Sequence, residues 1–101
     1  MFTIIYINLI NLDYDDIKFL INKLISIGFQ ETILNNLNFC PYLIIHKDFE
    51  NNEQYIFENI NKGFFDYLKD NKNLNFIEET NIDNFITKAI EFRNNNVNKL
   101  F

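Results

Sequence analysis

The first apolar stretch of the chain, residues 2–10, is rich in β-branched and aromatic side chains. Its two alternating sets are both largely apolar: Thr3, Ile5, Ile7 and Leu9 on one side, and Phe2, Ile4 and Tyr6 on the other. A strand with one solvated face alternates apolar with polar residues, whereas a strand covered on both faces is apolar throughout. The pattern therefore predicts a central strand that is covered on both faces.

A helix is predicted to begin at Asp13. Its side chain can cap the helix, and the negative charges of Asp15 and Asp16 are favoured in the first turn by the helix dipole. Apolar residues then recur at helical spacing, namely Ile17, Leu20, Ile21, Leu24 and Ile25. Gly28 suits the left-handed position that ends a helix, so we expect the helix to stop there.

Residues 30–37 fit an edge strand that leads into a turn at Cys40-Pro41. Residues 42–47 predict a firmer strand, because they contain the apolar run 43–45 and a proline is tolerated at the beginning of a strand. Whether or not both strands form, this segment extends the sheet.

Two interpretations compete for residues 51–71. Apolar residues at 3-4-3 spacing favour one long amphipathic helix, namely Phe57, Ile60, Phe64 and Tyr67. Gly63 in the interior of that helix would cost about 1 kcal/mol. Alternatively, residues 54–58 pair back on residues 42–47 as a strand, and a shorter helix begins near Asn61. We favour the long helix.

The end of the chain predicts a short strand and a final helix. The strand spans residues 74–78, after which Thr80 can cap the helix with Asp83 in the capping-box position. The apolar stripe of this helix is Ile82, Phe85, Ile86, Ala89 and Ile90. Residues 95–101 are expected to fray.

The predicted order is β-α-β-β-α-β with an added C-terminal helix, in a single domain of residues 1–101. Right-handed crossovers turn this order most economically into an α+β, ferredoxin-like sandwich. In such a sandwich two helices cover one face of a four-stranded sheet and leave the other face open.

The open face would carry apolar side chains. We expect it to present Phe2, Ile4 and Tyr6, flanked by Tyr42, Ile44 and His46. A contiguous apolar patch of that size usually marks an interaction site. The alternative is that the final helix folds across this face and covers it.

The chain is acidic, with a net charge of −5 at pH 7 and a pI near 4.7. Nucleic-acid binding needs clustered Lys and Arg, so no direct nucleic-acid partner is expected. A basic surface on a larger protein is the partner that this charge favours. The single cysteine excludes an internal disulfide, and no signal peptide or membrane-spanning run is evident, so we expect a cytoplasmic protein with no membrane partner.

Three groups of residues are candidates for chemistry. His46 titrates near neutral pH, but a general base or a metal site needs a second partner at suitable spacing. Cys40 lies beyond a proline and fits a small apolar role. Asp13, Asp15 and Asp16 could bind Mg²⁺ or Ca²⁺, but a helix start explains all three. We therefore predict no catalytic residue, no metal site and no cofactor.

The opening strand, together with the size and the predicted fold, resembles the small nuclease of CRISPR adaptation. That family carries an aspartate at the end of its first strand, where this chain has Ile7-Asn8-Leu9 and no acid before Asp13. The resemblance therefore implies a shared architecture, and it does not carry the nuclease activity over.

Small size, acidic charge and the lack of a catalytic set are typical of inhibitors that occupy a basic site on a larger effector. The abundance of Asn, Ile and Lys, which A- and T-rich codons encode, fits a mobile element of an AT-rich genome. The hypothesis is a non-catalytic inhibitor of a nucleic-acid-processing enzyme, of the phage antidefence (anti-CRISPR) type or a toxin immunity protein. Its acidic contact residues would be among Asp13, Asp15, Asp16, Glu50, Glu53 and Glu58.

Two alternatives from other classes remain. One is a homodimeric structural or regulatory domain that pairs through its open sheet face or an edge strand. The other is a metal-dependent enzyme, which would have to use His46 or the Asp13 cluster. Phe19 and Phe92, which lie off the main stripes of their helices, are secondary contact candidates.

Overall fold

The computed structural model describes residues 2–32, 40–48 and 54–98. This part of the chain is an α+β fold with a five-stranded mixed sheet and three helices. None of these helices has the length and apolarity that crossing a membrane requires. The elements in chain order are β1 (Phe2–Asn8), α1 (Tyr14–Ile27), β2 (Gln30–Glu31), β3 (Tyr42–Lys47), β4 (Tyr55–Ile60), α2 (Lys62–Lys69), β5 (Leu74–Glu78) and α3 (Ile82–Asn98).

The strands lie in the order β2-β4-β3-β1-β5. β1 is antiparallel to β3 and parallel to β5, while β3 and β4 form an antiparallel pair. β1 therefore has a neighbour on each side, and the prediction of a central first strand is confirmed. The predicted α+β class is confirmed as well.

The ferredoxin-like order is not confirmed. That order makes the first and last strands antiparallel and places both helices on one face. Here β1 and β5 are parallel, and helices pack against both faces of the sheet. The difference comes from one additional strand, because β4 reverses the chain direction once more before the crossover to β5.

α1 and α3 cover the sheet face to which Ile5 and Ile7 of β1 point. Leu20 and Leu24 of α1 and Phe85 of α3 are 0% exposed in this core. Burying a large apolar side chain contributes about 1.5–3 kcal/mol relative to leaving it in water, so this layer is a main source of stability. Residues of the apolar stripe predicted for α1, among them Ile17, Leu20 and Leu24, form the part of this core that α1 contributes.

α2 covers the opposite face, which was expected to be open. Its Phe65 and Leu68 pack with Ile4, Tyr6 and Ile44 in a second core. Ile4 is 0% and Tyr6 is 5% exposed. The expectation of an open apolar face is therefore wrong. The alternative cover by the final helix is wrong too, because α3 packs on the other side of the sheet.

The long helix favoured for residues 51–71 is wrong, and the strand-plus-short-helix alternative is correct. β4 pairs with β3 in register, with Phe57 opposite Ile45. α2 begins only after Asn61, whose side chain accepts a hydrogen bond from the Phe64 amide at 2.7 Å. Gly63 therefore lies in the first turn of a short helix instead of the interior of a long one.

The predicted ends of α1 are confirmed. Asp13 caps the helix by accepting a hydrogen bond from the Asp16 amide at 2.8 Å. Gly28 adopts the left-handed conformation with φ 112°, and the Phe29 amide donates to the Leu24 carbonyl at 2.9 Å. These bonds satisfy backbone groups that have no partner inside the helix.

The other predicted boundaries change by a few residues. The edge strand expected over 30–37 is observed as β2 at the sheet edge, and residues 33–39 lie outside the described part of the chain. Asn81, and not Thr80, caps the last helix, since its side chain accepts from the Asn84 amide at 3.2 Å. The helix then runs to Asn98, and residues 99–101 are not among those described.

The only arginine of the chain joins three elements. The Arg93 guanidinium carbon lies 5.0 Å from the centre of the Tyr55 ring. A methyl group on Gly28 would lie 2.7 Å from Arg93 Nε, so the guanidinium sits against the C-terminal end of α1. A cation is favoured at a helix C-terminus, and the last turn of α1 has no basic residue of its own. Arg93 therefore links α3 to α1 and β4.

The two glycines predict opposite effects of the same substitution. Gly28→Ala should lower the free energy of unfolding by at least about 1–2 kcal/mol, because alanine is strained at positive φ and its Cβ would displace Arg93. Gly63→Ala should raise it by up to about 1 kcal/mol, because alanine favours the helix and a Cβ there meets only an ordinary contact, 3.6 Å from Asn61 Oδ1. Urea unfolding of both variants measures this difference, and equal effects would contradict it.

Candidate functional site

The parallel pairing of β1 and β5 brings two acidic segments of the chain to one end of the molecule. The two strands end side by side, since the Glu79 amide donates to the Tyr6 carbonyl at 2.9 Å. α1 and α3 both begin just beyond the carboxyl-terminal ends of these two strands. We call the resulting surface the acidic end; its carboxylates belong to Asp13, Asp15, Asp16, Glu78, Glu79 and Asp83.

Neither segment carries a positive charge of its own. Residues 8–17 and 78–87 contain no Lys or Arg. Six of the chain's 14 acidic residues therefore belong to the acidic end, while the basic residues lie elsewhere in the sequence. Like charges gathered at one end of a small domain produce a negative potential that extends into solvent and attracts positively charged surfaces.

Large apolar side chains are exposed beside these carboxylates. Ile10 is 72%, Tyr14 is 73% and Phe19 is 48% exposed. Ile10 lies in the connection between β1 and α1, and the other two lie on the outer side of α1. An exposed tyrosine or phenylalanine amid charged groups is a typical anchor in protein interfaces.

An open groove of about 380 Å³ runs between the beginnings of α1 and α3. It is lined by Leu12, Asp16, Phe19, Thr80, Asn81, Ile82 and Asp83. Two carboxylates and an aromatic ring thus face one depression, a combination that suits a basic side chain with an aliphatic stem. On the other side of Phe19 lies a second depression of about 290 Å³, lined also by Asn22, Lys23 and Ser26.

The structure separates the contact residues that the sequence suggested. Asp13, Asp15 and Asp16 belong to the acidic end, although the Asp13 carboxylate also caps α1. Glu58 lies on β4, which β3 separates from β1, and its carboxylate faces His46. Glu50 and Glu53 lie outside the described residues.

The apolar candidates are placed in the second core. Ile4 and Tyr6 are buried, and Phe2 is partly buried against the same cluster. The Tyr6 hydroxyl donates to Glu78 Oε2 at 3.1 Å. Burial, followed by this hydrogen bond, raises the pKa of Tyr6 to about 12. These side chains hold β1 and β5 in place beneath α2 and offer little surface to a partner.

Sequence reasoning missed half of the acidic end. Glu78 and Glu79 were not among the predicted contact residues, and Asp83 was predicted only as part of a helix cap. Their proximity to Asp13 depends on β5 running parallel to β1, which the favoured helix over residues 51–71 does not produce. The lack of any basic residue in both segments was the signal that the sequence did contain.

His46 is a sheet-face histidine, as expected, but it is buried, with 2% of its surface exposed. Its Nδ1 lies 2.6 Å from the Lys47 carbonyl oxygen, so Nδ1 carries the proton and donates. Its Nε2 lies 3.8 Å from Glu58 Oε1, which is the range of an ion pair and too long for a hydrogen bond. The ring also packs against Phe2, with 6.0 Å between the ring centres.

His46 and Cys40 do not form a catalytic pair. Cys40 is buried beyond the opposite end of β3, and its carbonyl accepts a hydrogen bond from Asn59 Nδ2 at 3.3 Å. At about 3.3 Å per extended residue, their separation of six residues along the chain corresponds to roughly 20 Å, far beyond the reach of proton transfer.

Within the described ranges, no group of three or more His, Cys, Asp or Glu side chains is arranged to hold a metal ion. The carboxylates of the acidic end are therefore spread over a surface and do not converge on one point.

Comparison of the chain with protein-family models, with curated proteins and with solved structures finds no match.

The contact between Glu58 and His46 predicts an acid-sensitive contribution to stability. The pKa of Glu58 lies below its ordinary value of 4.5, and the interaction with His46 is the largest cause. Burial acts in the opposite direction and raises this pKa. A hydrogen bond from the Thr32 hydroxyl at 3.3 Å lowers it further. As the pH falls, the Glu58 carboxylate of the unfolded chain is protonated before that of the folded protein. The contribution of Glu58 to the free energy of unfolding is therefore fully present above pH 4.5 and is lost as the pH falls below that value. Glu58→Gln should flatten this dependence.

Urea midpoints from about pH 6 down to about pH 3 measure the effect. His46→Gln removes the largest cause of the lowered pKa, so it should flatten the same acid limb. A Glu58→Gln variant whose midpoint falls with pH as steeply as that of the unchanged protein would contradict the assignment.

Proposed function

We propose that this protein is a non-catalytic inhibitor that binds a basic surface of a larger protein through its acidic end. The observation that carries the proposal is that two acidic segments, three exposed apolar side chains and a groove lie at one end of the fold. The target class is a nucleic-acid-processing effector, and the role is that of a phage antidefence (anti-CRISPR) or toxin immunity protein.

Charge supports this choice of target. Enzymes that act on nucleic acids bind phosphates through grooves lined with Lys and Arg. A compact surface of carboxylates can occupy such a groove and exclude the nucleic acid. Charges of this kind act mainly on the rate of association, because they steer the two proteins together before contact.

The exposed apolar residues supply the second requirement of a stable complex. Charge pairs at the rim of an interface contribute little to affinity, and most of the binding energy comes from a few buried anchors. Tyr14 is the best candidate anchor, because it is 73% exposed and lies in the first turn of α1 beside Asp15. Phe19 lies between the two depressions and offers a second.

The charge prediction uses two double variants with the same net charge. Asp15→Lys/Asp83→Lys reverses two exposed charges of the acidic end, whereas Asp70→Lys/Glu91→Lys reverses two exposed charges elsewhere. Each substitution adds two charges, so both variants move from −5 to −1. Asp13 is left unchanged because its carboxylate caps α1.

Both variants are assayed against a panel of purified RNA-guided nucleases and ribonuclease toxins, with inhibition of cleavage and association rate as readouts. For the inhibited enzyme, the reversal at the acidic end should slow association about tenfold or more at low salt, and the control variant should change it much less. Equal loss in both variants would indicate net charge alone and contradict a defined site. A panel in which the unchanged protein inhibits no enzyme would count against the target class.

The anchor prediction compares two tyrosines of similar exposure. Tyr14 is 73% and Tyr67 of α2 is 70% exposed. Tyr14→Ala should weaken binding to the inhibited enzyme by about tenfold or more, mainly through faster dissociation, while Tyr67→Ala leaves it unchanged. Surface plasmon resonance separates the two rates. A larger effect from Tyr67 would move the contact surface to α2.

A further inference from the structure

β5 is an edge strand that uses only half of its backbone hydrogen-bonding groups within the sheet. Among the described residues it pairs with β1 alone. The parallel ladder begins with the Phe2 amide donating to the Asn73 carbonyl at 3.3 Å and ends with the Glu79 amide donating to Tyr6 at 2.9 Å. In a parallel ladder alternate residues bond to one neighbour, so the odd-numbered residues of this segment face β1.

The even-numbered residues of β5 therefore direct their backbone groups away from the sheet. These residues are Leu74, Phe76 and Glu78. The Leu74 amide already donates to the Asn71 carbonyl at 3.1 Å, which leaves its carbonyl on the outer edge. Phe76 and Glu78 present an amide and a carbonyl each. This pattern is a template on which another strand can add.

β5 lacks three of the features with which natural proteins block such edges: a proline, a lysine and a β-bulge. Its sequence, LNFIE, contains no Pro, Lys or Gly. Its register with β1 is unbroken from Phe2 opposite Leu74 to Tyr6 opposite Glu78, so no bulge twists the edge away. Edge strands that must stay single are usually interrupted in one of these ways.

We propose that β5 pairs antiparallel with β5 of a second copy of this chain, about a two-fold axis at Phe76. This register uses every outward group described above except the Glu78 carbonyl. The Phe76 amides and carbonyls of the two copies bond to each other, and each Glu78 amide donates to the Leu74 carbonyl of the other copy. The two sheets become one continuous sheet of ten strands.

Charge complementarity selects the second copy and its direction. Lys69, Asp70 and Lys72 precede β5 with a net charge of +1, whereas Glu78 and Glu79 stand at its end. Antiparallel pairing places Lys72 of one copy near Glu79 of the other at both ends of the interface, so opposite charges meet twice. The symmetric arrangement also places the two Phe76 side chains across from each other on the face covered by α2.

The interface is small. A pairing of two short strands buries less than the roughly 1,200–2,000 Å² of standard complexes, so we expect a dimer that dissociates on dilution. Sedimentation velocity from about 1 μM to about 1 mM, the range of weak association, measures it. A protein that remains monomeric throughout would overturn the proposal.

Two variants of one residue test the hydrogen bonds. Glu78→Pro removes an outward amide and leaves intact the ladder to β1, which uses Ile77 and Glu79. Glu78→Ala keeps that amide, and both variants lose the bond from Tyr6, so the second is a matched control. The proline variant should dimerise about tenfold or more weakly than the alanine variant, because both lose the Glu78 charge and only the proline variant loses the amide. Unchanged dimerisation of the proline variant would overturn the assignment to this edge.

A charge exchange tests the direction and does not depend on the folding of the proline variant. Lys72→Glu and Glu79→Lys should each weaken the dimer, because each places like charges together. The double variant should restore it. Failure of the double variant to recover dimerisation would overturn the antiparallel register. An unrelated protein that binds this edge while the chain itself stays monomeric would overturn the choice of a second copy.

Discussion

The parallel hydrogen bonding of β5 along β1 is the constraint on which the arrangement of this molecule depends. It sets the end at which the last strand finishes, and therefore where α3 begins relative to α1. Because both helices start at one edge, their acidic first turns lie together and a groove forms between them. The same pairing leaves the outer side of β5 as a free edge among the described residues.

This arrangement is held by two cores on opposite faces of β1. One face packs against α1 and α3, and the other packs against α2 through Phe65 and Leu68. The parallel direction of β5 follows from this layering, because α2 carries the chain from β4 across the second face before β5 begins. Tyr6 links β1 to both neighbouring elements: its ring packs against Phe65 of α2, and its hydroxyl donates a hydrogen bond to Glu78 of β5. The apolar side chains expected to bind a partner, Phe2, Ile4 and Tyr6, instead build the scaffold that positions the acidic end.

Elements with strong local signals could be predicted from the sequence, and their arrangement could not. Asp13 and Gly28 delimit α1 because capping is a local interaction. Phe57 and Ile60 match a helical spacing by coincidence, since they lie in β4 and face opposite sides of the sheet. That one misassigned segment removes a strand and reverses the direction of β5. Glu78, Glu79 and Asp83 would then lie at the opposite end of the sheet from Asp13. The acidic end therefore depends on the direction in which β5 pairs with β1, and no local sequence pattern contains that information. The burial of His46 likewise depends on tertiary packing, because its strand β3 lies between β1 and β4 and its ring packs against Phe2.

The orientation of β5 can be measured directly by NMR on isotopically labelled protein. Parallel pairing in the observed register predicts nuclear Overhauser contacts between the Glu79 amide and the residues around Tyr6, at the ends of both strands. It also predicts contacts between Phe2 and the residues around Leu74, at their beginnings. An antiparallel last strand, as in a ferredoxin-like sheet, would instead place Glu79 near Phe2 and Leu74 near Tyr6. That result would separate the two acidic segments and contradict the acidic end itself.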